Sequence, residues 1–150
     1  MIDLDKRLSA CASLVKGPVL ADIGTDHAFV PIHLVKRGVC SRAVAADINK
    51  GPAARALRHV EEQGLTEKIQ VLCADGLKNR AFLPCSDIVI AGMGGELIWE
   101  ILSAQSWTRD PRLRFVLQPM TKPERLRTAL CQNGFEILRE TAVVSGGFPY

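Results

Sequence analysis

Five short apolar runs, each about as long as a β-strand, recur along this 150-residue chain and limit the folds open to it. They span residues 18–23, 42–48, 68–74, 86–91 and 114–117. Each run is nearly continuous rather than alternating, which is typical of strands that helices cover on both faces. Because the length suits a single domain, residues 1–150 are predicted to form one.

Helical stretches with recognisable start and stop signals separate these runs. Asp3 and Asn49 are predicted to cap the first and third helices, and Pro31 lies in the first turn of the second. Residues 121–124 (Thr-Lys-Pro-Glu) match a capping box for a later helix. Strand and helix alternating through five rounds imply right-handed crossovers. The fold class predicted is therefore α/β, doubly wound and Rossmann-like, with a mostly parallel sheet.

The end of the chain has a different pattern. Residues 135–144 are predicted to form a sixth strand, and residues 145–147 (Ser-Gly-Gly) a hairpin turn. Residues 148–150 would then begin another strand, which is too short to pair along the whole of its neighbour. We therefore expect the sheet to finish in a truncated last strand.

Charge, cysteine content and hydropathy narrow the class of protein. Nineteen Lys and Arg against 16 Asp and Glu give a net charge of +3, which permits a nucleic-acid partner without requiring one. The five cysteines contain no Cys-x-x-Cys pair, so neither a disulfide framework nor a zinc site is predicted. The sequence has neither an uninterrupted apolar run of about 18 residues nor a secretory signal. We expect a cytoplasmic protein without a membrane partner.

Acidic residues lie at the ends of the first three predicted strands. Asp22 and Asp26 accompany the first, Asp47 the second and Asp75 the third. In open α/β sheets, ligands bind at the carboxyl ends of the strands. Taken singly, Asp26 and Asp47 could each be a helix cap and Asp75 part of a plain turn. Because all four fall at the same predicted edge, the pattern favours a ligand site.

The sign of these charges indicates what the ligand is. A pyrophosphate site requires a glycine-rich loop, whereas this loop carries Asp26. Two like charges about 4 Å apart cost about 4 kcal/mol at an effective dielectric constant of about 20, so a polyphosphate would be repelled. S-adenosylmethionine carries a sulfonium and an ammonium and suits such a loop. Asp47 could hold its ribose hydroxyls and Asp75 its adenine amine.

Residues 92–95 (Gly-Met-Gly-Gly) place three glycines in four residues at a predicted strand-to-helix junction. This pattern indicates close backbone approach by a ligand or a neighbouring chain. His27 is predicted to line the pocket, whereas His33 and His59 are interpreted as ordinary surface or core residues. The spacing of the three histidines predicts no metal site.

Six segments together resemble the bacterial tRNA (adenine-22-N1)-methyltransferases, which are class I S-adenosylmethionine-dependent enzymes. They are residues 22–29 (Asp-Ile-Gly-Thr-Asp-His-Ala-Phe), 50–52 (Lys-Gly-Pro), 75–77 (Asp-Gly-Leu), 91–95 (Ala-Gly-Met-Gly-Gly), 117–119 (Leu-Gln-Pro) and 133–135 (Asn-Gly-Phe). The resemblance runs from about residue 5 to the last residue. It implies a seven-stranded class I methyltransferase sheet and a C-terminal helical tRNA-binding domain, and only the catalytic domain is represented in this chain. Asp26 and Ala28 replace two glycines of the general methyltransferase loop.

The resemblance also implies roles for individual residues. The residues expected to bind the cofactor are Asp22, Gly24, Thr25, Asp26 and His27 around the methionine and sulfonium, Asp47 and Ile48 at the ribose, Asp75 and Gly76 at the adenine, and Gly92, Met93 and Gly94 near the methyl group and target base. Asp26 and Gln118 are the candidates for catalysis, Asp26 by accepting a hydrogen bond from the adenine amine and Gln118 by holding the base edge.

The expected partner is tRNA. Basic residues concentrate in residues 109–127, and Arg7 and Arg127 are the two predicted to contact phosphates. We expect a monomer without a metal. Three alternatives stay open from the sequence: a class I methyltransferase acting on a small molecule or protein, a nucleotide-binding oxidoreductase domain, and a non-catalytic RNA-binding module.

Overall fold

The computed structural model describes residues 3–150. Its helices and strands alternate as the sequence predicts. In chain order they are α1 (Lys6–Leu14), β1 (Val19–Ile23), α2 (Phe29–Lys36), β2 (Arg42–Asp47), α3 (Lys50–Glu62), β3 (Ile69–Cys73), β4 (Asp87–Gly94), α4 (Gly95–Ser103), β5 (Arg114–Thr121), α5 (Pro123–Gln132), β6 (Val144–Ser145) and β7 (Phe148–Pro149). Within the described chain, none of the helices has the length and apolar character needed to cross a membrane.

Strands β1 to β5 form a parallel sheet in the order β3-β2-β1-β4-β5, which confirms the predicted doubly wound fold. The central strand β1 pairs with β2 on one side and β4 on the other, Leu20 lying opposite Ala43 and Asp87. The strand order therefore reverses direction at β1 and β4. This is the switch point at which open α/β sheets leave a crevice for ligands.

Two apolar cores cover the two faces of this sheet. Alternate residues of β1 divide between them: Leu20 packs among buried residues of α1, α2 and α3, whereas Ala21 and Ile23 pack among those of α4 and α5. Because both faces are covered, successive residues of β1 from Leu20 to Ile23 are all buried. This burial explains why the strand segments are nearly continuous apolar runs.

The buried residue Asp87 stabilises the amino end of the sheet. Asp87, the first residue of β4, accepts hydrogen bonds from the backbone amides of Lys16 and Gly17 at 2.6 and 2.7 Å. The Nε atom of Arg114 lies 2.6 Å from its second oxygen. Asp87 is at the amino end of the strands, so its carboxylate stabilises the fold away from the predicted ligand edge.

Two predicted helix caps are wrong. Asp5, not Asp3, is the N-cap of α1, because the Asp5 carboxylate is three residues before Leu8 and accepts the Leu8 amide hydrogen bond at 2.7 Å. The predicted capping box fails because Thr121 is the last residue of β5. Lys122 takes the N-cap position of α5 in a left-handed conformation with φ 52°.

The predicted sixth strand over residues 135–144 is also wrong. Residues 136–142 lie outside both sheets of the described chain, and β6 and β7 form a small antiparallel hairpin in which Val144 lies opposite Pro149. The predicted turn is found at Gly146 and Gly147. A strand requires a hydrogen-bonding partner, and local apolar content alone does not supply one.

Candidate functional site

The predicted site residues meet along the carboxyl edge of the sheet. Asp22 is the penultimate residue of β1, Asp47 is the last residue of β2, and Asp75 follows β3 by two residues. The register places Ile23 opposite Ala46 and Asp47 opposite Cys73, so the ends of β1, β2 and β3 are neighbours. The structure therefore places these acids along the edge where the sequence predicted them.

Hydrogen bonds hold both ends of the loop from β1 to α2. The backbone amides of Gly24 and Thr25 donate to the Ala46 carbonyl at 2.8 and 2.9 Å, and Thr25 Oγ1 accepts from the Ala28 amide at 3.1 Å. Gly24 has φ +79°, and a Cβ atom there would lie 2.2 Å from Met93 Cε. The loop thus packs directly against the Met93 side chain at the end of β4, which joins two of the predicted cofactor segments.

Asp22 is a buried carboxyl at the base of this loop. Burial raises the pKa of Asp22 to about 6, and a hydrogen bond with Thr25 partly opposes that shift. Asp22 lacks an ion-pair partner among residues 3–150. A cation placed beside this carboxyl would therefore favour its ionised form.

Asp26 has a cationic partner that the sequence analysis missed. Arg55 Nε donates to Asp26 Oδ1 at 2.9 Å, and His27 Nε2 lies 3.3 Å from Asp26 Oδ2. Ala28, not Asp26, takes the N-cap position of α2, so the plainer interpretation of Asp26 as a helix cap is wrong. Asp75 likewise pairs with Lys78. Of the four acids at this edge, Asp26 and Asp75 therefore each have a cationic partner within residues 3–150, whereas Asp22 and Asp47 have none.

Three stacked rings border the β1 loop. The rings of His27, Phe29 and His59 lie with centroids 4.9 to 5.4 Å apart. His59 Nδ1 is also 3.2 Å from the His27 carbonyl oxygen. His59 is thus a half-buried residue that packs against this loop, and its interpretation as an ordinary surface or core residue stays a prediction. Arg55 and His59 lie four residues apart on one face of α3, but that spacing alone carries no signal for their contacts with the β1 loop.

The second acid available to a ligand is Asp47. Its Oδ1 accepts a hydrogen bond from the Asn49 amide at 2.7 Å, so the cap interpretation is partly correct. Asn49 takes the predicted N-cap position of α3. Next to Asp47, the Ile48 side chain is 61% exposed, which is unusual for an isoleucine at the end of a buried strand. Carboxylate oxygen and open apolar surface therefore adjoin at this point.

The glycine-rich segment 92–94 belongs to β4 itself, with register shifts against β5, rather than to a turn after it. A Cβ atom on Gly94 would lie 3.1 Å from Thr121 Oγ1, and one on Gly95 would lie 2.4 Å from the Lys122 carbonyl oxygen. The close approach predicted for these glycines is thus made by the chain's own β5–α5 segment. Gly92 has φ +78°, and its open side faces Arg7.

Gln118 lies within β5, not after it, and is buried. Its Oε1 accepts from Arg7 Nη1 at 2.7 Å and from the Gly92 amide at 3.0 Å. The structure thus gives Arg7, predicted to contact phosphate, a partner inside the site. Arg127 is exposed on α5, where its Nε donates to Glu140 at 2.6 Å. Over residues 3–150, clusters of three or more potential metal-ligating side chains are absent.

Comparisons with known proteins agree with this architecture. Residues 4–150 match the family model described as a methyltransferase domain. The chain is 36% identical to the tRNA (adenine(22)-N(1))-methyltransferase of Bacillus subtilis (strain 168), over 99% of this chain and 63% of that protein. The crystal structure of the B. subtilis m1A22 tRNA methyltransferase TrmK superposes with a TM-score of 0.94 at 35% identity, covering 100% of this chain and 64% of that one.

A further solved structure, M. capricolum TrmK in complex with S-adenosyl-homocysteine, superposes with a TM-score of 0.87 at 32% identity. The match covers 98% of this chain and 66% of that chain. This chain therefore spans a little under two thirds of the length of these relatives.

Proposed function

This chain belongs to the methyltransferase-domain family, and from that premise we propose that it transfers a methyl group from S-adenosylmethionine to N1 of adenine 22 in tRNA. The observation that carries the proposal is the 36% identity with the B. subtilis adenine-22 enzyme over 99% of this chain. In this proposal residues 1–150 are the cofactor-binding catalytic domain. The proposal includes a monomer acting in the cytoplasm on tRNA.

Asp22 supports a cationic ligand at the methionine end of the cofactor site. Its carboxyl is buried among apolar strands, and ionisation there is costly without a partner. An ammonium group would supply that partner, while Gly24, Thr25 and His27 would border it. Because Arg55 neutralises much of the Asp26 charge, selection for a cation rests mainly on Asp22.

The adenosine end is assigned to the next two strands. Asp47 has an oxygen left for ribose hydroxyls after Oδ1 binds the Asn49 amide. The exposed Ile48 side chain would cover one face of the adenine, and Asp75 with Gly76 would border its amine. The residues present therefore fit the cofactor, which when bound supplies an electrophilic methyl group.

The chemistry requires positioning more than proton transfer. The N1 lone pair of adenine lies in the ring plane and can attack a methyl carbon without prior deprotonation. Orientation of well-placed groups is worth up to roughly 7–11 kcal/mol. Gly92, Met93 and Gly94 would face the methyl group and the base, and Asp26 Oδ2 would accept a hydrogen bond from the base amine. Flipping the adenine out of its stack costs a few kcal/mol, which contacts with tRNA must offset.

Methyl transfer from labelled S-adenosylmethionine to unmodified tRNA tests the function. We expect one 1-methyladenosine per tRNA, located at position 22 by nuclease digestion and mass spectrometry, and none in a transcript with guanine at that position. Transfer only to small amines, phenols or proteins would overturn the tRNA assignment. Preferential binding of NAD over S-adenosylhomocysteine would favour an oxidoreductase domain. Binding of tRNA without binding of the cofactor would favour a non-catalytic RNA-binding module.

The Asp22 carboxyl makes cofactor binding dependent on pH. With its pKa at about 6, most Asp22 is ionised at pH 7 but only about a tenth at pH 5. We expect the dissociation constant for S-adenosylhomocysteine to rise about tenfold between those pH values, measured by calorimetry. Asp22→Asn should bind weakly and with a flat profile over this range. An unchanged pH slope in that variant would mean that the pH dependence does not come from Asp22.

The free energy of unfolding of the ligand-free protein should also depend on pH through Asp22. The folded-state pKa of Asp22 lies above its ordinary value of 3.8, so protonated Asp22 contributes stability that is lost as pH rises from about 4 to about 6. The Asp22→Asn variant should lack that component when unfolding free energies are compared by urea denaturation.

A further inference from the structure

We propose that Arg7 is a positioning residue for the base-binding side of the site and acts through Gln118 on the Gly92 peptide. This inference deepens the proposed function and rests on it. It differs from the phosphate contact that the sequence predicted for Arg7. Three elements meet at this point, since Arg7 belongs to α1, Gln118 to β5 and Gly92 to β4.

The Gln118 amide is held in one orientation by two donors. Its Oε1 accepts from Arg7 Nη1 at 2.7 Å and from the Gly92 amide at 3.0 Å, while its Nε2 donates to the Pro119 carbonyl at 3.1 Å. A guanidinium and a backbone N–H can only donate, so the amide oxygen must face both. Removing Arg7 would leave a single donor on that oxygen and allow the amide to turn away from Gly92.

The Arg7 side chain is directed into the protein rather than toward solvent. Its side chain is 18% exposed, against 50% for Arg127 on α5. Asp5 lies 3.7 Å from the Arg7 guanidinium, and the Tyr150 ring lies under it at 5.8 Å. An arginine enclosed by an acid, an amide and a ring has its donors directed into the protein. The more exposed Arg127 is better placed to reach an RNA backbone.

The orientation of the Gly92 peptide affects the position of Met93 and of the residues proposed to border the methyl group. Gly92 adopts φ +78° where the β4–β5 register shifts, and it precedes Met93. The Met93 Cε atom lies 2.2 Å from the position that a Cβ atom on Gly24 would take, so Met93 packs directly against the cofactor loop. A turned Gly92 peptide would therefore displace the residues that border the methyl group. Because S-adenosylhomocysteine lacks the methyl group that these residues border, we expect the rate of transfer to fall while the affinity for S-adenosylhomocysteine stays nearly unchanged.

The test compares four variants with the wild-type chain: Arg7→Ala, Arg7→Lys, Gln118→Ala and the double variant Arg7→Ala/Gln118→Ala. We expect Arg7→Ala to lower kcat for tRNA about tenfold with the S-adenosylhomocysteine dissociation constant changed less than twofold. The double variant should be little worse than either single variant, because both remove one network. Added guanidinium ion should restore part of the Arg7→Ala rate, and Arg7→Lys should retain more activity than Arg7→Ala.

Salt dependence separates positioning from a phosphate contact. A lost phosphate contact lowers the slope of log affinity against log salt by about 0.7–0.9, whereas a positioning role leaves it unchanged. Arg127→Ala provides the comparison for a phosphate contact. Arg42→Ala, exposed at the amino end of β2, is the control for removing one positive charge. The proposal would be overturned if Arg7→Ala raised KM and also lowered the slope of log affinity against log salt. Additive effects of the two substitutions on kcat in the double variant would overturn it as well.

A readout that does not depend on methyl transfer keeps the two proposals distinguishable. The amide resonance of Gly92 in the ligand-free protein should shift, and its hydrogen exchange should accelerate, in both Arg7→Ala and Gln118→Ala. If those changes occur in a chain that fails to methylate tRNA, the proposed function fails and the positioning network stands. If the Gly92 amide is unchanged in Arg7→Ala, the positioning role is wrong whatever the activity.

Discussion

Asp47→Ala is expected to raise the dissociation constant for S-adenosylhomocysteine on the order of 100-fold. The proposed role of Asp47 is to accept hydrogen bonds from the two ribose hydroxyls. A hydrogen bond to a charged group contributes about 1.5–3 kcal/mol, so the loss of two at the lower end of that range, about 3 kcal/mol, corresponds to a change on the order of 100-fold. Isothermal titration calorimetry of the ligand with the wild-type and variant chains measures the effect directly.

Two further variants separate ligand contact from local structure. Asp47→Asn keeps an oxygen for the Asn49 amide, so the start of α3 is preserved, while the oxygen proposed for the ribose hydroxyls becomes an NH2 group that can only donate. We expect a loss of affinity close to that of Asp47→Ala, with unchanged thermal stability. Asp110→Ala removes a negative charge beside Arg112, before β5 begins, and should leave affinity unchanged. Equal weakening by Asp47→Ala and Asp110→Ala would mean that Asp47 acts only through net charge.

The sheet and its acidic edge could be predicted because both follow from order along the chain. Continuous apolar runs mark strands buried on both faces, and parallel strands bring their carboxyl ends to one edge. Asp22 and Asp47 could therefore be placed before the fold was known. The difference in burial between the two residues could not be predicted, because it depends on how the flanking helices cover each strand.

The arginines of the site were missed or misassigned for a physical reason. Arg55 reaches Asp26 from α3, and Arg7 reaches Gln118 from α1, across gaps of 29 and 111 residues. Such contacts depend on how each helix lies on the sheet, which local spacing does not encode. The same limit explains the failed sixth strand, because the pairing of residues 135–144 depends on which edge is within reach. The apolar pattern of each strand was predictable, whereas two of the helix caps and the contacts between elements were not.

Gly95→Ala should destabilise the fold and slow methyl transfer together. Gly95 is the first residue of α4, and a Cβ atom there would lie 2.4 Å from the Lys122 carbonyl oxygen and 3.2 Å from Leu126 Cβ. The start of α5 must move to accept it, and overpacking of this kind costs about 1–3 kcal/mol. For a chain of this length, thermal unfolding should shift down by about 3–10 °C.

Gly51→Ala is the matched control, because Gly51 also lies in the first turn of a helix. Its nearest neighbour would be Arg55 Nη1 at 3.7 Å, an ordinary contact with a flexible side chain. Alanine has the higher helix propensity, so this variant should be neutral or more stable by up to about 1 kcal/mol. Equal destabilisation of the two variants would exclude the contact with Lys122 as the cause. A loss confined to Gly95→Ala would instead show that the closeness of α4 to α5 fixes the glycine-rich end of β4, where the methyl group and the target base are proposed to meet.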